Sequence, residues 1–74
     1  MTEITVRSEL NAVVWKIEVA VGATVLEGDT MIVLESMKME IPVMTEVPGV
    51  VRELHVAPEQ TVQEGDLIAL IDES

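Results

Sequence analysis

The 74 residues divide into two copies of one 37-residue unit. Residues 1–37 laid over residues 38–74 without a gap give thirteen identities. Among them are Glu3/Glu40, Ile4/Ile41, Val13/Val50, Val14/Val51, Val25/Val62 and the triplet Glu27-Gly28-Asp29 over Glu64-Gly65-Asp66. Ile17/Leu54, Met31/Ile68, Leu34/Ile71 and Glu35/Asp72 are conservative matches in the same register. A unit this short cannot bury an apolar face by itself. The two copies, 1–37 and 38–74, are therefore expected to pack on each other about a pseudo-two-fold axis, as one domain over 1–74.

The unit reads as strands. Valine supplies 13 residues and Trp15 is the only aromatic. Branched side chains fit a pleated surface and lose rotamer freedom in a helix, and no window carries a sustained helical stripe. The first copy predicts strands over Ile4–Arg7, Val13–Val19, Thr24–Val25 and Met31–Ser36. The second predicts Met39–Val43, Val50–Val56, Thr61–Val62 and Leu67–Asp72. In the second strand Val13, Trp15, Ile17 and Val19 alternate with Val14, Lys16 and Glu18. Trp15 aligns with Arg52, an unsuitable core residue, so both are expected near the rim of the sandwich.

Turn chemistry follows the repeat. Gly28 and Gly65 stand where a tight turn needs positive φ. Pro48-Gly49 suits a turn with Pro second and Gly third. Pro42 lacks a ladder donor and belongs at a sheet edge or bulge. The join, Met37-Lys38, is the symmetry mate of Ser74 and Met1, so the loop there and the chain ends are expected at opposite ends of the molecule.

Charge and composition exclude several functions. Fourteen acidic residues against four basic ones give a net charge of −10, which repels nucleic acid and anionic membrane surfaces. No cysteine means no disulfide and no thiolate chemistry. His55 is the only histidine and is expected to be solvated. No apolar run spans a bilayer and no leader opens the chain, so the expected location is cytoplasmic. The opening Met1 and the closed repeat favour a complete chain over an excised domain.

One segment, Glu35-Ser36-Met37-Lys38-Met39-Glu40-Ile41-Pro42, looks chemical. A hairpin with Met37-Lys38 at its tip sets Ser36 opposite Met39, Glu35 opposite Glu40 and Leu34 opposite Ile41. A two-residue hairpin loop favours Asn-Gly or Asp-Gly, because the primed turns need positive φ; a β-carbon there costs roughly 1–2 kcal/mol. Glu35 facing Glu40 adds repulsion, and two Met side chains at an exposed tip bury nothing. A segment that breaks several local rules together is a candidate functional site.

Glu-Ser-Met-Lys-Met-Glu at the centre of a two-fold β repeat resembles the attachment motif of biotinyl domains. The paired segments Val19–Asp29 and Val56–Asp66 resemble those of biotinyl/lipoyl carriers over nearly the whole chain, and the small stand-alone biotin/lipoyl attachment proteins are most similar. The resemblance implies an all-β, flattened eight-stranded β-sandwich (barrel-sandwich hybrid). It implies Lys38 as the lysine that a biotin protein ligase would biotinylate. Met37, Met39 and Glu35 would be recognised by that ligase. The function implied is that of a biotin carboxyl carrier, not an enzyme, moving carboxylate between biotin carboxylase and carboxyltransferase sites. No second catalytic group has a specific spacing to Lys38. Two alternatives stand beside it: a lipoyl carrier of a 2-oxo acid dehydrogenase complex, with lipoate on Lys38, and an unmodified structural adaptor. Met37 and Met39 argue for biotin, since lipoyl sites usually carry Asp before the lysine and often Ala after it. The chain departs from the family pattern at Glu59-Gln60, where Gly-Asp is usual, at Asn11-Ala12, and at Ser36, where Ala is common.

Overall fold

Eight short strands appear where the valine-rich segments predict them. The computed structural model describes residues 2–73, and among these there is no helix. The strands are β1 (Thr2–Arg7), β2 (Ala12–Ile17), β3 (Thr24–Val25), β4 (Thr30–Ser36), β5 (Met39–Met44), β6 (Gly49–Leu54), β7 (Thr61–Val62) and β8 (Leu67–Glu73). The largest boundary differences are at β1, which begins two residues earlier than predicted, and at β2 and β6, which end two residues earlier than alternation predicts. Beyond each of the latter two a single ladder-like bond survives, Glu18 N–H to Met31 O at 2.8 Å and its mate His55 N–H to Ile68 O at 2.8 Å.

The strands form two four-stranded antiparallel sheets, ordered β1-β8-β6-β3 and β5-β4-β2-β7. This is the predicted all-β flattened sandwich, within extents of 36 × 18 × 17 Å. The copies do more than pack on each other: they interleave. Each sheet takes two strands from each copy, and the central pairs β8-β6 and β4-β2 are each contributed by one copy. Pro42 lies in β5, an edge strand, where its missing N–H costs no ladder bond. Met1 and Ser74 lie outside the described residues, and with them the expectation for the chain ends. Thr2 pairs with Glu73, the two-fold mate of the pair Met39 and Ser36 beside the hairpin tip.

The faces of β2 and β6 are not those that simple alternation predicts. Val14 pairs with Leu34 and the next pair is Lys16 with Val33, so Trp15 is an extra residue in a β-bulge. Arg52 is the extra residue at the mate position, between the pairs Val51/Ile71 and Glu53/Leu70. An extra residue reverses the parity of everything after it. Ala12 and Val14 therefore point inward before the bulge and Ile17 after it, while Val13 and Trp15 face solvent. The expectation of a rim position for Trp15 and Arg52 is corrected: both are exposed, but in inner strands on the outward faces. A second bulge pair sits at Met31 and Ile68. It lets the consecutive residues Met31-Ile32 and Ile68-Ala69 all bury completely.

The core is aliphatic, with Val14, Met31, Ile32, Leu34, Val51, Ile68 and Ile71 fully buried. The buried polar residues Ser8 and Thr45 are two-fold mates. Their hydroxyls donate to Leu10 O at 2.6 Å and Val47 O at 2.7 Å, closing the bends after β1 and β5. Gly28 and Gly65 have φ of 90° and 91°, as their turns require. The Pro48-Gly49 turn is not formed. Gly49 opens β6 with ordinary φ and pairs with Glu73, and the chain reverses earlier at the Thr45 hydroxyl.

Glu59 has φ 70° where its mate Gly22 has φ 94°, and their N–H groups donate to the mate carbonyls of Val14 and Val51. The backbone needs the left-handed conformation at both places, and only one holds glycine. Glu59→Gly is expected to stabilise the fold by about 0.5–1 kcal/mol, the relief of β-carbon strain exceeding the added unfolded-state entropy. An unchanged or lower denaturant midpoint would show that this turn is not strained.

Candidate functional site

The hairpin joining the two copies has the predicted register. Leu34 faces Ile41, Glu35 faces Glu40 and Ser36 faces Met39. Leu34 is fully buried and Ile41 half-buried, so this inner pair anchors the hairpin in the core. Glu35 and Glu40 project to solvent on the other face. Two residues remain for the turn. Met37 has φ 53° and Lys38 φ 66°, the double positive φ of a type I′ turn carried by two residues with β-carbons.

The tip stands clear of the sandwich. Met37 is 92% exposed and Met39 64%, and Lys38 is exposed between them. The ion pairs among the described residues involve Lys16, Arg52 and His55, and none engages Lys38. The ε-amine is therefore presented on a long side chain at the end of a backbone fixed by the β4–β5 ladder. The other lysine, Lys16, is built into the bulge of β2. Its Nζ lies 3.5 Å from Glu18 and 4.9 Å from the centre of the Trp15 ring. Both lysines are accessible, so what separates them is protrusion from the sheet.

A turn of this kind is expected to be stabilised by the residues that the backbone favours. Met37→Asn with Lys38→Gly should raise stability by about 1–2 kcal/mol, because Asn-Gly meets the positive-φ requirement without the β-carbon cost. Denaturation of both proteins at equal pH and salt checks this; an unchanged or lower midpoint would mean that the tip is unstrained.

Residues 3–71 match the biotin–lipoyl family model, described as "Biotin-requiring enzyme". The chain belongs to this biotin–lipoyl family. Membership covers both halves of the repeat and brings Lys38 within the matched span. Among solved structures, the chain is similar to a single-chain, multi-domain long-chain acyl-CoA carboxylase, with 26% identity and a TM-score of 0.91. It is also similar to the urea carboxylase of Kluyveromyces lactis, with 33% identity and a TM-score of 0.90. Each likeness covers 97% of this chain, but only 7% and 6% of those much longer chains. No curated protein sequence matches.

The structure adds a feature that sequence reasoning passed over. Val13, Glu35 and Glu40 form one row across β2, β4 and β5 on the outward face next to the tip, with Trp15 beside it. Val13 and Trp15 are 40% and 46% exposed. The signal available in the sequence was the mismatch of Trp15 with Arg52 in an otherwise close repeat. His55, expected to be merely solvated, places Nε2 2.7 Å from Glu53 Oε1. An open groove runs elsewhere, between edge strands β1 and β5.

Proposed function

We propose that this biotin–lipoyl family chain is a biotin carboxyl carrier, with Lys38 the residue acylated by a biotin protein ligase. The observation that carries the reading is the positive-φ, two-residue tip that presents Lys38 away from the sandwich. A fold would not select Met-Lys for that turn on conformational grounds. Met37 and Met39 support biotin over lipoate, and with Glu35 they are the residues a ligase would read. Likeness to an acyl-CoA carboxylase and a urea carboxylase supports a carboxylase as the enzyme served.

The residues fit an amide-linked cofactor: Lys38 is exposed at the tip, and among the described residues no ion pair engages its amine. Bound there, biotin supplies a ring nitrogen that takes up and gives back carboxylate at the sites of a biotin carboxylase and a carboxyltransferase. The chain's own part is positional. Amide formation needs a neutral amine, so the ligase must also accept a proton from Lys38. Lysine and biotin chains together reach roughly a dozen Å over about ten bonds, and a rigid hairpin holds the base of that arm at high effective concentration near either site. The same proposal includes a single carrier domain over 1–74, a cytoplasmic location, and neither nucleic acid nor membrane as partner. The net charge of −10 supports the last two points.

The test is intact-mass measurement after incubation with biotin, ATP and a biotin protein ligase, run beside lipoate with a lipoate ligase. One biotinoyl group per chain is the expected result. Lipoylation alone would replace this reading by the lipoyl carrier, and no modification by either enzyme would leave the structural adaptor. Met37→Leu and Met39→Leu should change stability by no more than about 0.5 kcal/mol, because neither side chain is packed, while slowing biotinylation or carboxyl transfer. If both rates stayed at the wild-type value, the recognition role of the two methionines would be wrong.

A further inference from the structure

The pseudo-two-fold axis gives the residues beside Lys38 counterparts in the other sheet. The row Val13, Glu35, Glu40 across β2, β4 and β5 corresponds to the row Val50, Asp72, Glu3 across β6, β8 and β1. Each row sets two carboxylates directly opposite each other, which is unfavourable unless a cation intervenes. In one sheet a cation does. Arg52, the bulge residue, places Nη1 3.1 Å from Glu3 and 3.4 Å from Asp72.

In the sheet whose β4–β5 hairpin carries Lys38, the bulge residue is Trp15. The neighbouring cation, Lys16, turns to Glu18 and to the Trp15 ring. Among the described residues no ion pair reaches Glu35 or Glu40. The chain thus breaks its symmetry beside the candidate attachment site. The cation is removed, two acids are left facing each other, and the only aromatic is exposed in the cation's place.

We propose that this face is where the ligase seats. A guanidinium of the ligase would lie between Glu35 and Glu40 and against the Trp15 ring, taking in trans the place that Arg52 holds in cis. The inference rests on the carrier reading above. A guanidinium matches both elements of the face, since it pairs with carboxylates and stacks on aromatic rings. Reach selects the ligase over the carboxylase. To acylate Lys38 the ligase must bring its centre within the length of one lysine side chain, about 6 Å, of the hairpin backbone. At about 3.3 Å per strand residue, Glu35, Glu40 and Trp15 lie within about 15 Å of the tip, inside the footprint of an ordinary interface of about 800 Å² per partner. A loaded carrier delivers its group at the end of a longer arm and is under no such constraint.

The test exploits the internal control. Trp15→Arg installs in one sheet what Arg52 does in the other. It is expected to keep the fold, with a denaturation midpoint at or above wild type, yet to lower kcat/KM for biotinylation about tenfold or more and to flatten its salt dependence. Arg52→Trp, on the opposite sheet, should leave biotinylation within about twofold of wild type. Glu40→Gln, which removes a charge without adding bulk, should also slow biotinylation and flatten its salt dependence, and it keeps the test open should Trp15→Arg fail to fold. Folded Trp15→Arg that is biotinylated at the wild-type rate would overturn the proposal, as would Glu40→Gln with an unchanged rate and salt dependence. Normal biotinylation with a defect confined to carboxyl transfer would assign the face to the carboxylase and overturn it equally. A wild-type chain that takes no biotin on Lys38 overturns the carrier reading itself, before any variant is compared.

Discussion

Lys38→Ala is expected to abolish cofactor attachment completely while leaving the sandwich intact. Lys38 sits at φ 66° in the turn, exposed and outside every ion pair among the described residues. Alanine there keeps a β-carbon and removes only solvated atoms, so stability should move by no more than about 0.5 kcal/mol. The chemical effect is expected to be all-or-none because, among the described residues, no other amine is presented in the same way. Lys16 is accessible, but it belongs to an inner strand and is held by Glu18 and Trp15. Its amine lies back along the sheet from the hairpin tip, so a ligase centre placed over Lys38 does not reach it. Intact mass and a streptavidin blot of Lys38→Ala after exposure to ligase should show no biotin. Lys38→Arg, which keeps the positive charge, should behave the same way. A remaining signal would place attachment on another amine and remove the central residue of the proposed function.

The second large effect concerns stability. Gly49→Val is expected to cost about 3 kcal/mol or more, a large share of what a domain of this size has. A β-carbon on Gly49 would collide with the Asp72 carbonyl oxygen and lie 2.9 Å from both Asp72 C and Ile71 Cγ2. Two of these neighbours are backbone of the adjoining inner strand, so relief requires β6 and β8 to part. The two-fold mate illustrates the alternative: Ala12 carries a β-carbon, and the β2–β4 ladder there begins one residue later, at Val13. Gly49, by contrast, pairs with Glu73. Gly28→Val and Gly65→Val meet nothing within 4 Å, and their penalty is the conformational one alone, about 1–2 kcal/mol and similar at the two sites. Denaturation midpoints should therefore fall much further for Gly49→Val than for either turn variant. Equal losses at all three glycines would mean that close strand approach is unimportant at Gly49. Unequal losses at Gly28 and Gly65 would weaken the equivalence of the two halves.

Much of the candidate site was legible because its information is local. The register of the hairpin around Met37-Lys38 depends on a two-residue loop and on one apolar pair, Leu34 with Ile41, only a few residues away on either side. The strain at the tip follows from the same loop length, since the matching turn demands positive φ whatever residues occupy it. Glu59 shows the limit of this reading. Its alignment with Gly22 marks a position needing positive φ, and the departure from the usual Gly-Asp was visible, but its conformational meaning emerges only from the turn it occupies.

Read from the sequence alone, the valine-rich segments and the 37-residue repeat determined the all-β class, the number of strands, the glycine turns at Gly28 and Gly65 and the confinement of Pro42 to an edge or bulge. Each rests on short-range chemistry or on the period-two pattern of a strand. The tertiary structure alone decided how the copies interleave, which residues bulge, and why Gly49 is glycine. These depend on partners far apart in the chain. Whether Trp15 and Arg52 are extra residues is settled by how many residues β4 and β8 offer opposite them. That count decides which face every later side chain takes. The lateral pairing of β2 with β4 and β5, and of β6 with β8 and β1, puts Trp15 on the same outward face as Glu35 and Glu40, and Arg52 between Glu3 and Asp72, so that one sheet closes its charges and the other leaves them without an ion pair next to Lys38.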